Sequence, residues 1–266
     1  MVKRADNLDG SEPAREALTL LVESQGGRLY SLGMRFCGNR EEAEDLVQET
    51  FMQAFVKWEQ FEGRSSVATW LYTIASRICQ RFHRKKSGEP DRLESLDALL
   101  PFGEVSMAVV PDEDDGPLAQ QVREEARREI EAAIAELPLE FRMPLVLKEI
   151  VGFKLSEVAE ILDLKEATAK TRVHRARLRL RKALESALPR RDVPAPVYSK
   201  QVCLDLLQAK QETLDRGLDF EFPDSVLCER CGELFATLDL AQGVCHDIAR
   251  GELPERLRKA LLEQLK

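Results

Sequence analysis

Residues 155–182 read LSEVAEILDLKEATAKTRVHRARLRLRK, and this stretch decides the fold. Apolar side chains recur at helical spacing on both sides of a short break at residues 163–165, which predicts two helices joined by a turn. Asp163 occupies the position where such turns usually have glycine, and aspartate enters the left-handed backbone region more readily than most residues. A short helix, a tight turn and a long helix together form the layout of a helix-turn-helix.

The second predicted helix is strongly basic, and its acidic residue is Glu166 alone. The basic residues are Lys165, Lys170, Arg172, Arg175, Arg177, Arg179, Arg181 and Lys182. A basic helix by itself could be a solvated face or a surface for a protein partner, but the helix and turn before it favour DNA. His174 has no cysteine or acidic residue one turn away, so we expect an exposed residue and not a metal ligand.

The chain is acidic overall, but its charge is segregated. The formal net charge of the 266 residues is −8. A second basic cluster consists of Arg77, Arg81, Arg84, Lys85 and Lys86. Residues 87–121, which follow it, are rich in acidic residues, glycine and proline and therefore predict an acidic linker and not a domain.

The composition also bounds the class of protein. With 6% aromatic residues and abundant helix formers, the chain should build two or three small all-α domains. No apolar run approaches the roughly 18 residues that a membrane span needs, and residues 1–14 lack the apolar core of a signal peptide. We therefore expect a cytoplasmic protein with no membrane partner. The chain has no phosphate-binding glycine loop and no convincing His or carboxylate constellation, so we expect no catalytic residues and no enzyme.

Residues 41–51, EEAEDLVQETF, begin a predicted amphipathic helix that extends to about residue 57. Its apolar face would consist of Ala43, Leu46, Val47, Phe51, Ala54, Phe55 and Trp58. Its polar face shows Asp45, Gln48, Glu49 and Gln53. Taken alone, these polar residues are most simply an ordinary solvated face.

A second apolar series starts at Val67 and ends in the basic cluster, which predicts an amphipathic helix with a basic end. Its apolar members are Val67, Trp70, Leu71, Ile74, Ile78 and Phe82. Exposed aromatic residues beside basic ones could stack on unpaired bases. The alternative is that Trp70 and Tyr72 are core and boundary residues.

These motifs resemble those of the extracytoplasmic-function (ECF) sigma factors of the sigma-70 family. Residues 41–51 and the string TWLY at residues 69–72 look like region 2, and residues 155–162 and 167–177 look like region 4. The domains we expect are region 2 at residues 14–86, the acidic linker at 87–121, a helix-turn-helix region 4 at 122–188, and a small cysteine-rich helical domain at 189–266.

The resemblance implies a function and a role for each predicted site. Such a protein binds core RNA polymerase, through the β′ clamp helices and the β flap, and directs promoter-specific transcription initiation. The polymerase-binding residues would be Asp45, Gln48, Glu49 and Gln53. The DNA-binding residues would be Phe61, Trp70, Arg77, Arg81 and Arg84 at the minus-ten element, and Lys170, Thr171, Arg172, Arg175 and Arg177 at the minus-35 element. The linker would follow the RNA path of the polymerase, unless it is only a solvated tether.

Four of the six cysteines lie in residues 189–266, after a boundary marked by prolines. Cys228 and Cys231 form a CxxC pair that can bring two thiolates to one ion. Cys203, Cys245 and His246 could complete the site. Thiolates prefer soft metals, so copper, zinc or cadmium would be the ion. A redox pair or core cysteines remain alternatives, and Cys37 and Cys79 are best interpreted as small apolar residues.

The extension resembles two known types of regulatory domain. Cys203 followed by the CxxC pair is similar to the zinc-binding anti-sigma domain, whose motif has histidine where this chain has Asp224. The whole arrangement looks more like that of the CorE-type metal-dependent sigma factors. That resemblance implies a tail that senses metal itself in place of a separate anti-sigma factor, and we expect metal to activate the protein.

Three alternative functions would use parts of the same sequence. A redox-switched sigma factor would use the same cysteines, and a two-component or quorum-type regulator would share the helix-turn-helix. The regulator does not explain residues 14–86 or the acidic linker. A thiol oxidoreductase would need alternating strands and helices around the CxxC pair, and the sequence predicts none there.

Overall fold

The computed structural model describes residue 8 and residues 10–86, 93–111, 117–218, 226–248 and 252–265. In this part of the chain the secondary structure is almost entirely helical, which confirms the predicted all-α class. The helices are α1 (Ala14–Cys37), α2 (Arg40–Val56), α3 (Val67–Lys86), α4 (Pro117–Glu136), α5 (Leu139–Leu145), α6 (Leu155–Leu162), α7 (Glu166–Ala183), α8 (Lys200–Arg216), α9 (Glu229–Ile248) and α10 (Glu255–Gln264). A π-helical turn, Val146–Val151, continues α5. Two short strands, β1 (Ser106–Ala108) and β2 (Arg190–Asp192), pair antiparallel, with Met107 opposite Arg191.

The boundary between α1 and α2 follows from two adjacent residues. Gly38 ends α1 with a φ of 76°, a left-handed conformation that costs glycine little. The side chain of Asn39 then caps α2 by accepting a hydrogen bond of 2.8 Å from the backbone N–H of Glu42. The predicted helix at about residues 41–57 is therefore confirmed as α2.

The predicted helix-turn-helix is also present, as α6 and α7. The carboxylate of Glu157 accepts a hydrogen bond of 2.8 Å from the backbone N–H of Lys154, which stabilises the start of α6. Asp163 ends that helix with a φ of 54° and is the one non-glycine residue with positive φ in the described part of the chain. The backbone N–H of Leu164 donates back to the Ala159 carbonyl at 2.9 Å and closes the turn.

The chain forms two compact units. The first contains the described residues of Met1–Asp91, Arg142–Lys170 and Asp247–Lys266. Its core lies between α1, α2 and α3, where Gly33 approaches Ala43 so closely that an added Cβ would lie 3.1 Å from the Ala43 Cα. Helix α6 packs on α3, and α10 packs on α1. The guanidinium of Arg258 on α10 binds the carboxylate of Glu23 on α1 at 2.6 Å.

The second unit contains the described residues of Arg92–Phe141 and Thr171–His246. Its apolar core combines the linker, the end of α7, α8 and α9. The core residues are Leu99, Leu100, Met107, Leu178, Val193, Cys203, Leu207, Leu214, Cys231, Leu234, Phe235 and Leu238. The described part of the linker is therefore not a solvated tether in this structure, because β1 and the buried residues before it belong to a folded unit. The four predicted domain boundaries remain a prediction.

A buried arginine holds the second unit together. The side chain of Arg230, in the CxxC segment, donates to the carbonyl oxygens of Pro101 and Glu104, both at 2.9 Å. It also donates to Val193 and Pro194, at 3.5 and 3.0 Å. One side chain thus joins the linker, the segment after α7 and the start of α9. Across the described residues, no helix is long and apolar enough to cross a membrane.

Replacing Arg230 with alanine should loosen the second unit. The Arg230→Ala variant leaves four carbonyl oxygens without their donor, so we expect its local unfolding free energy to fall by about 2–4 kcal/mol. Amide hydrogen exchange in α8 and α9 measures this loss. Arg128, exposed on α4 of the same unit, supplies the control, and Arg128→Ala should leave the exchange unchanged. Equal protection in both variants would contradict the role assigned to Arg230.

Candidate polymerase, DNA and metal sites

The four predicted polymerase-binding residues lie together on one face of α2. Asp45 is exposed, and Gln48, Glu49 and Gln53 are half-buried. The amide of Gln53 donates to the Glu49 carboxylate at 2.9 Å. Arg81 of α3, a predicted DNA-binding residue, pairs with the same carboxylate. The face is therefore a polar network and not a row of independent solvated side chains.

Apolar residues that the sequence analysis did not assign to this site border the polar face. Met52, Phe55 and Val56 are 39%, 36% and 74% exposed. The prediction that Phe55 belongs to the buried face is thus wrong, because the helix turns this side chain outward at the end of α2. Exposed apolar side chains next to a polar network are typical of a protein-binding surface. The signal in the sequence was that consecutive apolar residues at 54–56 cannot all lie on one helix face.

Two of the predicted DNA-binding aromatics belong to a three-ring cluster. The ring centroids of Phe61 and Trp70 are 5.3 Å apart, and each lies within 6 Å of the Trp58 centroid. Trp58 and Phe61 are buried, and Trp70 is half-buried. The indole N–H of Trp58 donates to the Glu12 carbonyl at 2.8 Å. The cluster thus presents Trp70 at the surface on a rigid base.

The basic end of α3 is only partly described. Arg77 and Arg81 are exposed, which suits contact with phosphates or bases. Arg84 lies within α3, but its side chain lies outside the described residues.

Helix α7 places the predicted minus-35 residues in different surroundings. Thr171 is exposed, and Lys170 is half-buried. Arg172 forms an ion pair of 2.9 Å with Glu140. Arg175 donates to the Glu94 carbonyl at 2.7 Å, and its guanidinium lies 5.1 Å from the Phe141 ring centroid.

Two residues of α7 contact α8 directly. Arg177, predicted to contact phosphate, is 3% exposed and pairs with Asp215 at 2.8 Å. The expectation that His174 is an exposed residue is wrong, because its side chain is 17% exposed and bonds Asp215 at 2.8 Å. The acidic partner lies 41 residues away in sequence, so helical spacing could not reveal it. Burial opposes ionisation of Asp215, but the hydrogen bond with His174 and the charge of Arg177 outweigh the effect of burial and lower the pKa of Asp215.

Three of the predicted metal ligands meet in the second unit. The thiol of Cys231 lies within hydrogen-bonding reach of the sulfurs of both Cys228 and Cys203. Burial and the neighbouring Cys228 and Cys203 raise the pKa of Cys231 to about 12. Burial also opposes ionisation of Cys228, but the backbone N–H and the thiol of Cys231, with the backbone of Val197 and Arg230, outweigh it and lower its pKa. Cys228, directly before α9, is thus the thiol best prepared to ionise.

The other two predicted ligands lie elsewhere. Cys231 and Cys245 are both on α9, 14 positions apart, which places them about 21 Å apart along the helix axis. One ion cannot bind both, and His246 follows Cys245. Within the described ranges, no group of three or more His, Cys, Asp or Glu side chains has the arrangement of a metal site. The sulfurs of Cys203, Cys228 and Cys231 are therefore close together but do not form a complete set of metal ligands.

The remaining cysteines lie in the first unit. Cys79 is buried and Cys37 is half-buried, which fits their interpretation as small apolar residues. Burial and the neighbouring Cys37 raise the pKa of Cys79 well above its usual range, and they outweigh the positive charge of Arg142, which lowers it. This thiol is therefore a poor nucleophile and a poor metal ligand at neutral pH.

Comparison with known proteins identifies the class to which this arrangement belongs. Residues 21–89 match the family model of sigma-70 region 2, and residues 127–180 match that of sigma-70 region 4. The first match spans α2 and α3, and the second spans the helix-turn-helix. The fold and these two regions define a sigma-70-type transcription factor, and a regulator with a helix-turn-helix alone does not account for region 2.

Individual relatives narrow the class further. ECF RNA polymerase sigma factor SigW of Bacillus subtilis is 36% identical over 172 residues, which cover 64% of this chain and 90% of SigW. ECF sigma factor SigE of Mycolicibacterium smegmatis is 29% identical over 179 residues, which cover 65% of this chain and 63% of SigE. The chain belongs to the ECF RNA polymerase sigma factors. Since sigma factors are initiation factors, the expectation that it is not an enzyme is confirmed.

Solved structures include a partial match. The structure of CnrH in complex with the cytosolic domain of CnrY is 22% identical and covers 68% of this chain and 98% of that one, with a TM-score of 0.49. Both family-model matches end before the cysteine-rich extension, so the CorE-like subgroup stays a prediction.

The thiol pKa values predict unequal reactivity of the CxxC pair. Because the pKa of Cys228 is lowered and that of Cys231 is raised, Cys228 holds the larger thiolate fraction at pH 7. We expect iodoacetamide to modify Cys228 first. The modification rate of Cys228 should reach half its maximum at a lower pH than the rate of free cysteine does. Peptide mass spectrometry over a pH series measures both rates. Modification of Cys231 ahead of Cys228 would show that the assigned order is wrong.

Proposed function

We propose that this ECF sigma factor binds core RNA polymerase through α2, directs promoter-specific initiation through α3 and α7, and is regulated by a soft metal ion in its extension. The observation that carries the first part is that one chain holds both sigma regions, with the predicted polymerase contacts together on α2 and the predicted minus-35 contacts together on α7. The second part rests on the proximity of the Cys231 sulfur to the sulfurs of Cys203 and Cys228.

The surface of α2 supports binding to a protein partner. Asp45 and the Glu49–Gln53 network provide charge and directional hydrogen bonds, and the neighbouring Met52 and Val56 provide apolar area. Protein–protein interfaces typically combine an apolar centre with a polar rim, and α2 presents both kinds of surface side by side. In this proposal the partner is the polymerase, by analogy with the family.

The surfaces of α3 and α7 support binding to DNA. Trp70 offers a ring on which an unpaired base can stack, and Arg77 is exposed on the next part of the same helix. On α7, Thr171 is exposed, and Arg175 could read a guanine edge, worth about 1–3 kcal/mol of discrimination. Arg172 would contribute phosphate contacts, which add affinity without sequence information.

Charge reversal at Asp45 tests the polymerase surface. Asp45→Arg places a repulsive charge on the exposed face of α2, and we expect about tenfold weaker binding to core polymerase. Glu124→Arg makes the same charge change at an exposed position of α4 and should bind like the parent chain. The affinity of each purified variant for core polymerase is measured by fluorescence titration. Equal affinities for the two variants would remove α2 from the proposed interface.

The thiol cluster supports a metal site in chemical terms. The pKa of Cys228 is lowered, and Cys231 neighbours both Cys228 and Cys203, so a soft cation could replace the thiol protons. Cys245 and His246 are left out of the proposed ligand set because of their distance along α9. When bound, the ion would tie α8 to the start of α9 and fix the position of α8. In this proposal the metal acts on the chain itself, without a separate anti-sigma protein, and activates it.

Transcription with purified components tests metal regulation. The parent chain and core polymerase transcribe sheared genomic DNA across zinc, copper, cadmium and chelator series, and 5′-end sequencing counts the transcripts. We expect metal to increase initiation by the parent chain and by Cys245→Ala, whereas the Cys228→Ala/Cys231→Ala variant should not respond. A full metal response in the double variant would eliminate the proposed ligands. An oxidant response without metal would instead support the redox-switched alternative, and transcription without any metal response would leave only the sigma function standing.

A further inference from the structure

Helix α8 binds Arg177 of α7, which is predicted to contact the phosphates of promoter DNA, and its neighbour His174. The carboxylate of Asp215 contacts both His174 and Arg177 at 2.8 Å. Arg177 also donates to the side-chain oxygen of Gln211 at 3.2 Å and to its carbonyl at 3.3 Å. The Gln211 amide donates in turn to the His174 carbonyl at 3.0 Å. All of these residues belong to the second unit.

The linker binds α7 as well. Arg175 donates to the Glu94 carbonyl, and the Lys182 ammonium contacts the Glu94 carboxylate at 3.2 Å. Lys182 also donates to the Ala98 carbonyl at 3.1 Å. A carboxylate and two carbonyls therefore occupy basic groups that could otherwise bind phosphate oxygens.

Helix α8 and residues 94–98 together form a cover over these basic groups, and burial keeps other anions out of its centre. Arg177 is almost completely buried, and the side chain of Asp215 is 9% exposed, so no phosphate can approach this ion pair from outside. Leu178, next to Arg177, packs into the core that also contains Leu207 and Leu214 of α8. Displacing α8 must therefore expose apolar surface as well as break ion pairs, which gives the cover a defined stability.

We infer that α8 and residues 94–98 substitute for the DNA backbone, so that in this conformation α8 keeps Arg177 of α7, and the linker keeps Arg175, from promoter DNA. Carboxylates and phosphates can replace one another on α7, because a guanidinium group binds both through the same charge-assisted hydrogen bonds. DNA then competes with α8 and the linker for the basic groups of α7, and whatever moves α8 controls access to Arg177. The inference rests on the proposed DNA-binding role of α7.

Neutralising Asp215 tests the competition in the full-length chain. Asp215→Asn keeps the shape of the side chain but removes the charge that pairs with Arg177. We expect this variant to bind a labelled 30-base-pair duplex of mixed sequence about tenfold more tightly than the parent chain does. Asp205, exposed on the same helix and bonded to Gln201, supplies the matched control. Asp205→Asn removes an equal charge and should change the affinity little.

A second substitution separates this inference from the proposed function. Adding Arg175→Ala to Asp215→Asn should weaken duplex binding at least fivefold if α7 is the DNA surface. No weakening would overturn the DNA-binding role of α7, and the inference with it. A different outcome would overturn only the inference that α8 covers α7. In that outcome Arg175→Ala weakens duplex binding, but Asp215→Asn and Asp205→Asn bind the duplex with equal affinity.

Hydrogen exchange of the parent chain provides a measurement that does not depend on the stability of a variant. Saturating duplex DNA should increase amide exchange in residues 207–216 of α8, because bound DNA displaces that helix. Exchange in α8 that stays unchanged while DNA binds would overturn the inference.

Discussion

The packing of the second unit depends on the buried guanidinium of Arg230. A buried cation is unfavourable unless its charge is compensated, and here carbonyl oxygens from residues 101–104 and 193–194 accept hydrogen bonds from both terminal nitrogens of Arg230, while its Nε has no partner among the described residues. These carbonyls come from the linker and from the segment after α7, which pair as β1 and β2 nearby. Because Arg230 stands between Cys228 and Cys231, the segment that holds the thiols also holds the linker in place.

The core of the second unit physically connects the cysteine-rich extension to α7, the helix proposed to bind DNA. Helix α8 carries Cys203 near its beginning and Asp215 near its end, about 18 Å apart along the axis. Packed interiors transmit displacements because they contain few voids. An ion that pulled on Cys203 would therefore act on the same rigid helix whose other end covers His174 and Arg177. The proposed metal site and the inferred cover are in this way two ends of one element.

The pairing of charges explains how an acidic chain carries a basic recognition helix. Arg172 and Arg179 of α7 bind Glu140 and Glu136, and Lys182 binds Glu94. These surface ion pairs contribute little to stability individually, and salt or DNA phosphates can displace them. The buried pair of Arg177 and Asp215 is different, because breaking it leaves an uncompensated charge.

Local chemistry in the sequence determined the helices, the turn at Asp163 and the family, since helical periodicity and turn preferences act over a few residues. It also determined which residue types line α2 and α7. Only the tertiary structure decided that Asp215 meets His174, that Cys203 meets Cys231, and that Arg230 binds the carbonyl oxygens of the linker. Each of these depends on how a helix rotates or on which distant segment packs against it, and local periodicity carries no information about contacts between residues 41 positions apart.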